Sequence, residues 1–470
     1  MSNKINLNFF LNLLIILTFV ILLTTILKYF IADELKGFYK NFIVYITFFF
    51  ASCLFIKYLN LKTLSSYFLI IVFSVALSLY IVEFFLNNVS NKAKTEIEIR
   101  SEAAKVLGLK FDKRSKFQFY NELKSKGEDV VPSISPNEYF VNYKKFLDKK
   151  KPLAISGVSS KKTILCNEGG EMITYISDRY GFRNKNFLWD DEKIQWVVLG
   201  DSLVHGACVN DKDTISARIA FHSKEKILNL GIQGHGPLME LSALKEYAKL
   251  KKPNNVIWFY YEGNDLDNII YEMKSNNLNK YLLNDNYTQE LSKKQNEMNA
   301  QHQKLIDIIY NNKMHNRQIN QTNSKHNLLF KVKGVLKLYK IREFVSYFLP
   351  RKYALVIKQY SSLDIFESYK QAIMRASNLT KSWGGNFYFV YYPHASRYHD
   401  SKFLIYPLTQ KKRLLSMVES LNIKIIDLQP VFDAEKDKKG LYPLRIFGHP
   451  NEKGYDIVGE HIVKKVLNLN

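Results

Sequence analysis

The chain has 470 residues and a formal net charge of +23, from 67 Lys and Arg against 44 Asp and Glu. Its content of 47% hydrophobic and 14% aromatic residues excludes a disordered chain. Three cysteines (Cys53, Cys166, Cys208) exclude a disulfide-rich scaffold and a CxxC zinc site. The charge would suit a nucleic-acid-binding protein, because a basic surface attracts phosphates. That interpretation depends on where in the chain the charge lies.

Three apolar runs without any charged residue occupy positions 8–27, 41–56 and 65–82. A helix needs about 20 mainly apolar residues to cross the hydrocarbon core of a bilayer. Aromatic residues crowd the ends of the runs, as they do at membrane interfaces. We therefore predict a transmembrane anchor of three helices in residues 1–90. The alternative is a buried helical hairpin in a soluble protein, but a soluble core helix seldom excludes charge for so long.

The residues that flank these runs do not favour a cytoplasmic amino terminus. Three spans place residue 1 and the 57–64 loop on one side, and the 28–40 loop and everything after residue 88 on the other. Lys and Arg near the spans normally accumulate on the cytoplasmic side. Here both sides carry several lysines, and the side that holds the remainder of the chain is at least as basic.

Most of the positive charge lies after the anchor. Residues 1–90 hold six lysines and three acidic residues, so +20 of the net charge belongs to residues 91–470. It occurs in short runs spread along the chain, which is typical of a solvated surface. The more specific alternative is that this charge contacts anionic lipid head groups or an acidic glycan. No nucleic-acid-binding motif accompanies the charge, so we predict no nucleic-acid partner.

A junction region of residues 91–164 leads to a segment in which apolar strands alternate with amphipathic helices. The predicted strands are 194–200, 226–232, 255–263, 386–393 and 423–428. This pattern indicates a parallel sheet that helices cover on both faces. The predicted fold class is therefore α/β, with three transmembrane helices followed by a doubly wound (flavodoxin-like) domain in residues 165–470.

One segment, residues 269–350, interrupts this alternation. It carries 13 Asn and a net charge of +7, from 13 basic and 6 acidic residues, and it contains no clear strand. So long an insertion is usually a functional lid or a partly disordered excursion. Its second half, 328–349, is amphipathic and basic, so a helix lying at the bilayer interface is a third interpretation.

The residues that directly follow the strands are the candidates for chemistry, because ligands bind beyond the carboxyl ends of parallel strands. Ser202 follows the first strand at a strand-to-helix turn, which suits a nucleophile. Gly234 and Asn264 follow the second and third strands and could donate hydrogen bonds to an oxyanion. His449 follows the last strand and is a natural base for a serine. The simpler alternatives are that Ser202 caps a helix and that the glycine serves a turn.

Taken together and in this order, the loops resemble the SGNH (GDSL-type) hydrolase superfamily over residues 165–470. The resemblance implies that Ser202, in Gly-Asp-Ser-Leu, is the nucleophile and that His449, in His-Pro-Asn, is the base. It implies an oxyanion hole from the Ser202 amide, Gly234 and Asn264. The stretch 174–184 also looks like the segment that precedes the nucleophile strand in many bacterial members. A tethered member would be a multi-pass protein of the bacterial inner (plasma) membrane whose soluble domain is extracytoplasmic.

The chain departs from the family at one position. Members usually carry an Asp three residues before the His, but that position is Ile446 here and Phe447 stands two residues before it. Neither side chain can orient an imidazole. The sequence leaves open an acid from elsewhere, with Asp427 and Asp433 as remote candidates, a Ser-His dyad held by a backbone carbonyl, or an inactive domain.

Four further residues lie near the predicted site. His205, His235 and Asp265 could contact a substrate, although packing or solvent exposure would also explain the two histidines. We expect Cys208 to be a buried thiol rather than a nucleophile. We predict no metal and no cofactor.

These features predict a membrane-tethered serine esterase or O-acyl(acetyl)transferase. It would act on an acyl ester of an envelope glycan or lipid through a Ser-His mechanism, and it could work with a membrane acyl-transfer partner. The alternative is a catalytically inactive SGNH-like module that binds glycan or docks such a partner.

Overall fold

The computed structural model describes residues 7–31, 36–90, 94–136, 138–141, 152–322, 334–342, 365–399 and 410–469. The chain divides into two compact units. The first comprises residues 1–93 with 324–349, and the second comprises residues 94–323 with 350–470.

The first unit contains three long helices, α1 (Leu7–Ile31), α2 (Lys36–Leu59) and α3 (Lys62–Ser90). Within them, Leu7–Phe30, Lys40–Leu59 and Lys62–Leu86 are long and apolar enough to cross a membrane. Many large apolar side chains on these helices are exposed. Such an outward apolar surface is costly in water and favourable in lipid, where the backbone of each helix satisfies its own hydrogen bonds. The three predicted apolar helices are therefore confirmed.

Part of the predicted insertion packs on the third of these helices. The buried carboxylate of Glu83 accepts hydrogen bonds from the backbone amides of Lys340, at 2.9 Å, and Ile341, at 2.7 Å. The Tyr80 hydroxyl donates to the carbonyl of Leu336 at 3.3 Å. Amides in the first turn of a helix lack intrahelical acceptors, so a carboxylate is a suitable partner for them. Of the predicted interfacial helix 328–349, the described part is 334–342 and the remainder lies outside the described residues. The lid interpretation stays a prediction.

The second unit contains a small sheet near its amino-terminal end. Strand β1 (Val130–Pro132) runs parallel to β2 (Lys162–Ile164), which pairs antiparallel with β3 (Thr174–Ile176). Sequence periodicity did not predict these strands, because three residues are too few to show an alternation. The β2–β3 connection supplies one residue of the site described below.

The main sheet has five parallel strands in the order β5-β4-β6-β7-β8. They are β4 (Trp196–Leu199), β5 (Ile227–Asn229), β6 (Asn255–Tyr261), β7 (Asn386–Tyr392) and β8 (Lys424–Asp427). The chain moves from β4 to one neighbour and then returns to build the other side. This order is flavodoxin-like, and ligands bind where the direction changes, at the carboxyl ends of β4 and its neighbours. The predicted α/β domain with a parallel sheet is confirmed.

Helices cover both faces of this sheet. Val197 and Leu199 point to a core shared with α9 (Pro237–Ala243) and a later helix, Ile365–Ser382, which we label α14. Trp196 and Val198 point to the opposite core, which includes residues of α8 (Ile215–Ser223) and of the last helix, Glu452–Leu469 (α17). Neighbouring residues of a strand face opposite sides, so strands buried on both faces read as continuous apolar runs.

The remaining helices connect or flank these layers. They are α4 (Glu96–Val106), α5 (Lys116–Ser125), α6 (Glu138–Val141), α7 (Ser202–His205), α10 (Lys249–Lys251), α11 (Asp265–Glu272), α12 (Asn276–Leu283), α13 (Gln295–Thr322), α15 (Lys411–Glu419) and α16 (Gln429–Ala434). A π-helical turn, Leu244–Ala248, joins α9 to α10. The amino-terminal part of α13 packs on the junction region, where Asn299 accepts from the Ser159 amide at 3.0 Å.

Candidate active site

Ser202 lies at the carboxyl end of the central strand β4, in the first turn of α7. Asp201, not Ser202, caps this helix: its carboxylate accepts a hydrogen bond from the Leu203 amide at 2.9 Å. The capping alternative for Ser202 is therefore wrong. The serine hydroxyl instead lies 2.9 Å from Nε2 of His449 and 3.2 Å from Oδ2 of Asp201.

His449 is held from its other side by Glu168. Nδ1 of the ring lies 2.8 Å from Oε1 of Glu168, and the His449 backbone amide donates to Oε2 of the same carboxylate at 2.8 Å. A carboxylate only accepts hydrogen bonds, so Nδ1 carries the proton of the neutral ring. Nε2 is then free to accept the proton of the Ser202 hydroxyl. Ser202, His449 and Glu168 thus form one continuous chain of hydrogen bonds.

Glu168 is the acid that orients His449, a role for which the sequence pattern offered no residue next to the histidine. Asp427 pairs with Lys411 at 2.6 Å, and Asp433 accepts from the Gln429 side chain at 3.3 Å. Neither remote candidate contacts His449, so both are wrong, whereas an acid from elsewhere in the chain does lie beside the ring. Glu168 lies 281 residues before His449 in the chain. No spacing pattern connects residues so far apart. The only hint in the sequence was an acidic residue next to Gly169, near the start of the stretch 165–470 that resembles the SGNH superfamily.

The charges of this pair stabilise each other. Burial disfavours the protonated His449, but the charge and hydrogen bond of Glu168 outweigh it, so the pKa of His449 is raised above its usual 6.5. Burial likewise favours a neutral Glu168, but the charge and hydrogen bonds of His449, with the charge of Arg100, lower its pKa. The geometry therefore favours an imidazolium beside a carboxylate, which is the state formed when His449 removes a proton from Ser202.

Two of the predicted oxyanion donors lie around the same serine. The side-chain amide of Asn264 donates to Oδ2 of Asp201 at 3.1 Å, and the same oxygen contacts the Ser202 hydroxyl. The backbone amide of Ser202 is in the first turn of its helix and has no intrahelical acceptor. Asp201 thus brings Ser202 and Asn264 together.

The Gly234 loop passes over the same helix. Gly234 adopts a φ of +79°, a conformation that favours glycine. A Cβ atom on Gly231, in the same loop, would come within 2.6 Å of the Val204 side chain, so only glycine permits this close approach to α7. The loop has both the conformation expected for a turn glycine and a position beside the helix of Ser202.

The three residues predicted as substrate contacts are buried. Nε2 of His205 lies 2.9 Å from the Tyr175 hydroxyl, and its Nδ1 accepts from the Gln233 amide at 3.3 Å. His235 is fully buried, with Nε2 2.6 Å from the Ile155 carbonyl. Asp265 is buried and accepts from the Tyr261 amide at 3.0 Å. Direct contact with substrate, and exposure of His235, are therefore not supported. Burial lowers the pKa of His235 to about 4, so it is neutral near pH 7.

A disulfide links the two loops of the site. Cys166 and Cys208 are bonded, with their Cα atoms 5.2 Å apart. The expectation that Cys208 is a buried thiol is wrong. Cys166 precedes Glu168 by two residues, and Cys208 follows Ser202 by six. The crosslink therefore ties the Glu168 loop to the segment after the serine helix. Cys208 lies within 4.8 Å of ligand atoms of Glu168 and His449, but a disulfide sulfur is not a thiolate and does not offer a zinc ligand.

Removing this crosslink is expected to destabilise the second unit. A Cys166→Ala/Cys208→Ala variant should lose about 2–4 kcal/mol of unfolding free energy, because the open loop gains entropy in the unfolded chain. Thermal unfolding of the full chain in detergent measures the loss. Cys53→Ala, which removes the unpaired cysteine of α2, is the matched control. Three reactive thiols in the denatured, unreduced wild type would contradict the disulfide.

Comparison with known proteins adds little to this geometry. No protein-family model matches the chain, and no curated protein matches it. Among solved structures, a G-D-S-L family protein from Desulfitobacterium hafniense is 14% identical, with 58% of this chain and 99% of that chain covered, at a TM-score of 0.31. A lipase/acylhydrolase from Enterococcus faecalis is 11% identical, with 58% and 96% covered, at the same TM-score. A TM-score of 0.31 is too low to support a statement about function.

Proposed function

We propose that this protein is a membrane-tethered serine hydrolase or acyltransferase of the SGNH type that cleaves an acyl ester. The observation that carries the proposal is the continuous chain of hydrogen bonds from the Ser202 hydroxyl through His449 to the partly buried carboxylate of Glu168. A nucleophile, a base and a group that orients the base are the three parts that nucleophilic catalysis needs.

The chemistry follows from the positions of these atoms. Oγ of Ser202 attacks the carbonyl carbon of the ester while Nε2 of His449 takes the hydroxyl proton. The resulting oxyanion receives hydrogen bonds from the Ser202 amide, Gly234 and Asn264. Collapse of the intermediate breaks the ester C–O bond, and His449 gives its proton to the departing alkoxide. Water or a second alcohol then attacks the acyl-serine, and its proton passes through His449, which restores the free serine.

The disulfide supports an extracytoplasmic position for the catalytic unit. Disulfides persist in oxidising compartments and are rare in the cytosol. Cys166–Cys208 therefore favours a cytoplasmic amino terminus followed by three spans, although the flanking lysines do not. We place the protein in the bacterial inner membrane with the second unit outside.

The substrate class follows from this placement. A tethered enzyme outside the membrane meets acylated glycans and lipids of the envelope before soluble metabolites. A net charge of +20 after residue 90 favours a surface that works beside anionic lipids or glycans. By the family resemblance we favour acetyl as the acyl group. If water accepts the acyl group from the acyl-serine, the protein is an esterase. If a sugar hydroxyl accepts it, the protein is a transferase that would receive acyl groups from a membrane partner.

The inactive-module alternative is weakened by Glu168. That alternative was motivated by the lack of an Asp before His449. A carboxylate 2.8 Å from Nδ1 of His449 now fills this role, so the observation no longer favours an inactive domain.

Trapping of an acyl-enzyme tests the proposed function. The purified full chain, incubated briefly with a p-nitrophenyl ester of acetate and quenched in acid, should carry an acetyl group on the peptide that contains Ser202. Peptide mass spectrometry locates the group. A fluorophosphonate probe should label the same peptide. Wild-type protein that turns over no ester and carries neither label would instead support the binding-module alternative.

A further inference from the structure

Arg100 is a buried charge that takes no part in the proton transfers of the proposed mechanism. It lies in α4, which begins at Glu96, six residues after the third apolar helix ends at Ser90. The Arg100 side chain is only 4% exposed. A buried guanidinium is costly unless it is paired and hydrogen-bonded, so its partners indicate why it is there.

The partners of Arg100 are the two loops of the catalytic pair. Nη2 donates to the carbonyl of Phe447 at 2.9 Å, and Nη1 donates to the carbonyl of Glu168 at 3.3 Å. Nη2 also lies 3.8 Å from Oε2 of the Glu168 carboxylate. Phe447 precedes His449 by two residues. One guanidinium therefore bridges the loop that carries the base and the loop that carries its acid.

The space for this bridge depends on Gly448. A Cβ atom at this position would lie 2.9 Å from Nη2 of Arg100 and even closer to Oε2 of Glu168. The outer side of the guanidinium is held by Glu96, whose carboxylate accepts from Nε at 2.9 Å and is itself largely exposed. Arginine presents five donors in a rigid planar fork, which suits simultaneous contact with two carbonyls and two carboxylates.

We propose, on the basis of the function proposed above, that Arg100 is a positioning residue that sets the geometry of the Glu168–His449 pair. Its partners among the described residues are Glu96, Glu168 and Phe447 rather than the Ser202 hydroxyl or the imidazole, so it acts through Glu168 and the His449 loop. The segment that directly follows the membrane anchor thereby determines the alignment of the acid. Arg100 lies outside residues 165–470, the stretch that resembles the SGNH superfamily.

Kinetics of Arg100→Gln in the full chain test this role. We expect kcat for a short-chain aryl ester to fall about 10- to 100-fold, since a misplacement of about 1 Å remote from the chemistry can cost on the order of a hundredfold. KM should change little, because Arg100 does not touch the substrate. Arg100→Lys should restore part of the loss, as lysine keeps the charge without the planar fork. Glu96→Gln should stay near wild type, because glutamine keeps an oxygen that can accept from Nε of Arg100 and the lost charge is largely exposed.

A double-mutant cycle with Glu168 separates positioning from general damage to the fold. If Arg100 acts through Glu168, adding Arg100→Gln to Glu168→Gln should cost less than threefold more activity. A full additional 10- to 100-fold loss in that background would overturn the proposal, as would an unchanged kcat in the single variant. The failure of the proposed function is distinct from both results, because the wild-type turnover would then not depend on Ser202.

Discussion

Replacing Ser202 with alanine is expected to lower kcat/KM for a short-chain aryl ester by about 10⁴- to 10⁶-fold. The hydroxyl lies 2.9 Å from Nε2 of His449 and, in the proposed mechanism, supplies the oxygen that forms the acyl-enzyme. Without it, only binding and the oxyanion donors remain, and these accelerate the attack of water weakly. Stopped-flow release of the phenol measures both the initial burst and the steady state, and the variant should lose the burst completely.

Ser223→Ala is a matched control for this variant. Ser223 ends α8, and β5 begins four residues later at Ile227, so Ser223 lies at the amino edge of the sheet, opposite the carboxyl ends that carry the site. It should keep wild-type kinetics. If Ser202→Ala retained the burst or a wild-type kcat/KM, Ser202 would not be the nucleophile.

Replacing Glu168 with glutamine is expected to lower kcat by about 10²- to 10⁴-fold, the range known for triads whose acid is neutralised. The carboxamide occupies nearly the same volume. It lacks the negative charge that stabilises the imidazolium, and it can present an NH₂ group to Nδ1, which favours the wrong tautomer. Steady-state kinetics on the aryl ester, with circular dichroism to check folding, measures the effect.

The pH profile provides an independent readout of the same pair. His449 is a base only when neutral, so wild-type kcat/KM should rise with pH through a pKa above the usual 6.5. The charge of Glu168 is a cause of this elevation. In Glu168→Gln the imidazolium loses that stabilisation, so its pKa should fall and the acidic limb should move to lower pH while the plateau drops.

Asp427→Asn is the matched control, because it makes the same chemical change at an acid that the sequence offered as a candidate. Asp427 pairs with Lys411 and does not contact His449. In the Asp427→Asn variant the acidic limb of the pH profile should stay where it is in the wild type, and kcat should fall at most a few-fold. A larger loss in Asp427→Asn than in Glu168→Gln would assign the acid to Asp427 instead. An acidic limb that moves upward in Glu168→Gln would contradict the charge pairing.

The elements that the sequence predicts well are those whose signal is local. Each strand of the main sheet is a short apolar run, because both faces of the strand are buried, and each apolar helix excludes charge over a length that spans a bilayer. Ser202 and Asn264 could be selected because each closely follows a strand, and His449 because it stands just before the last helix, which begins at Glu452. The carboxyl ends of parallel strands share one edge, so residues that follow different strands meet there.

The parts that sequence reasoning missed depend on contacts between distant segments. Glu168 follows β2, a strand of three residues that is too short to leave a periodic pattern, and Arg100 lies on a helix far from Glu168 and His449 in sequence. Cys166 and Cys208 are 42 residues apart, and nothing in their flanking residues indicates that they pair. The burial of His205 and His235 was likewise undecided, because a histidine at a helix end or in a loop can face solvent or pack inward according to what covers it.

By itself, then, the sequence determined the three apolar helices, the parallel α/β sheet and the loops that carry a serine and a histidine. Those follow from hydrophobic periodicity and from residue types at strand ends, which are properties of a few neighbouring residues. Only the tertiary structure decided which acid faces His449, which cysteines bond and which side chain bridges the Glu168 and His449 loops. These depend on distances of about 3 Å between segments far apart in the chain, and such distances are set by how the whole unit packs.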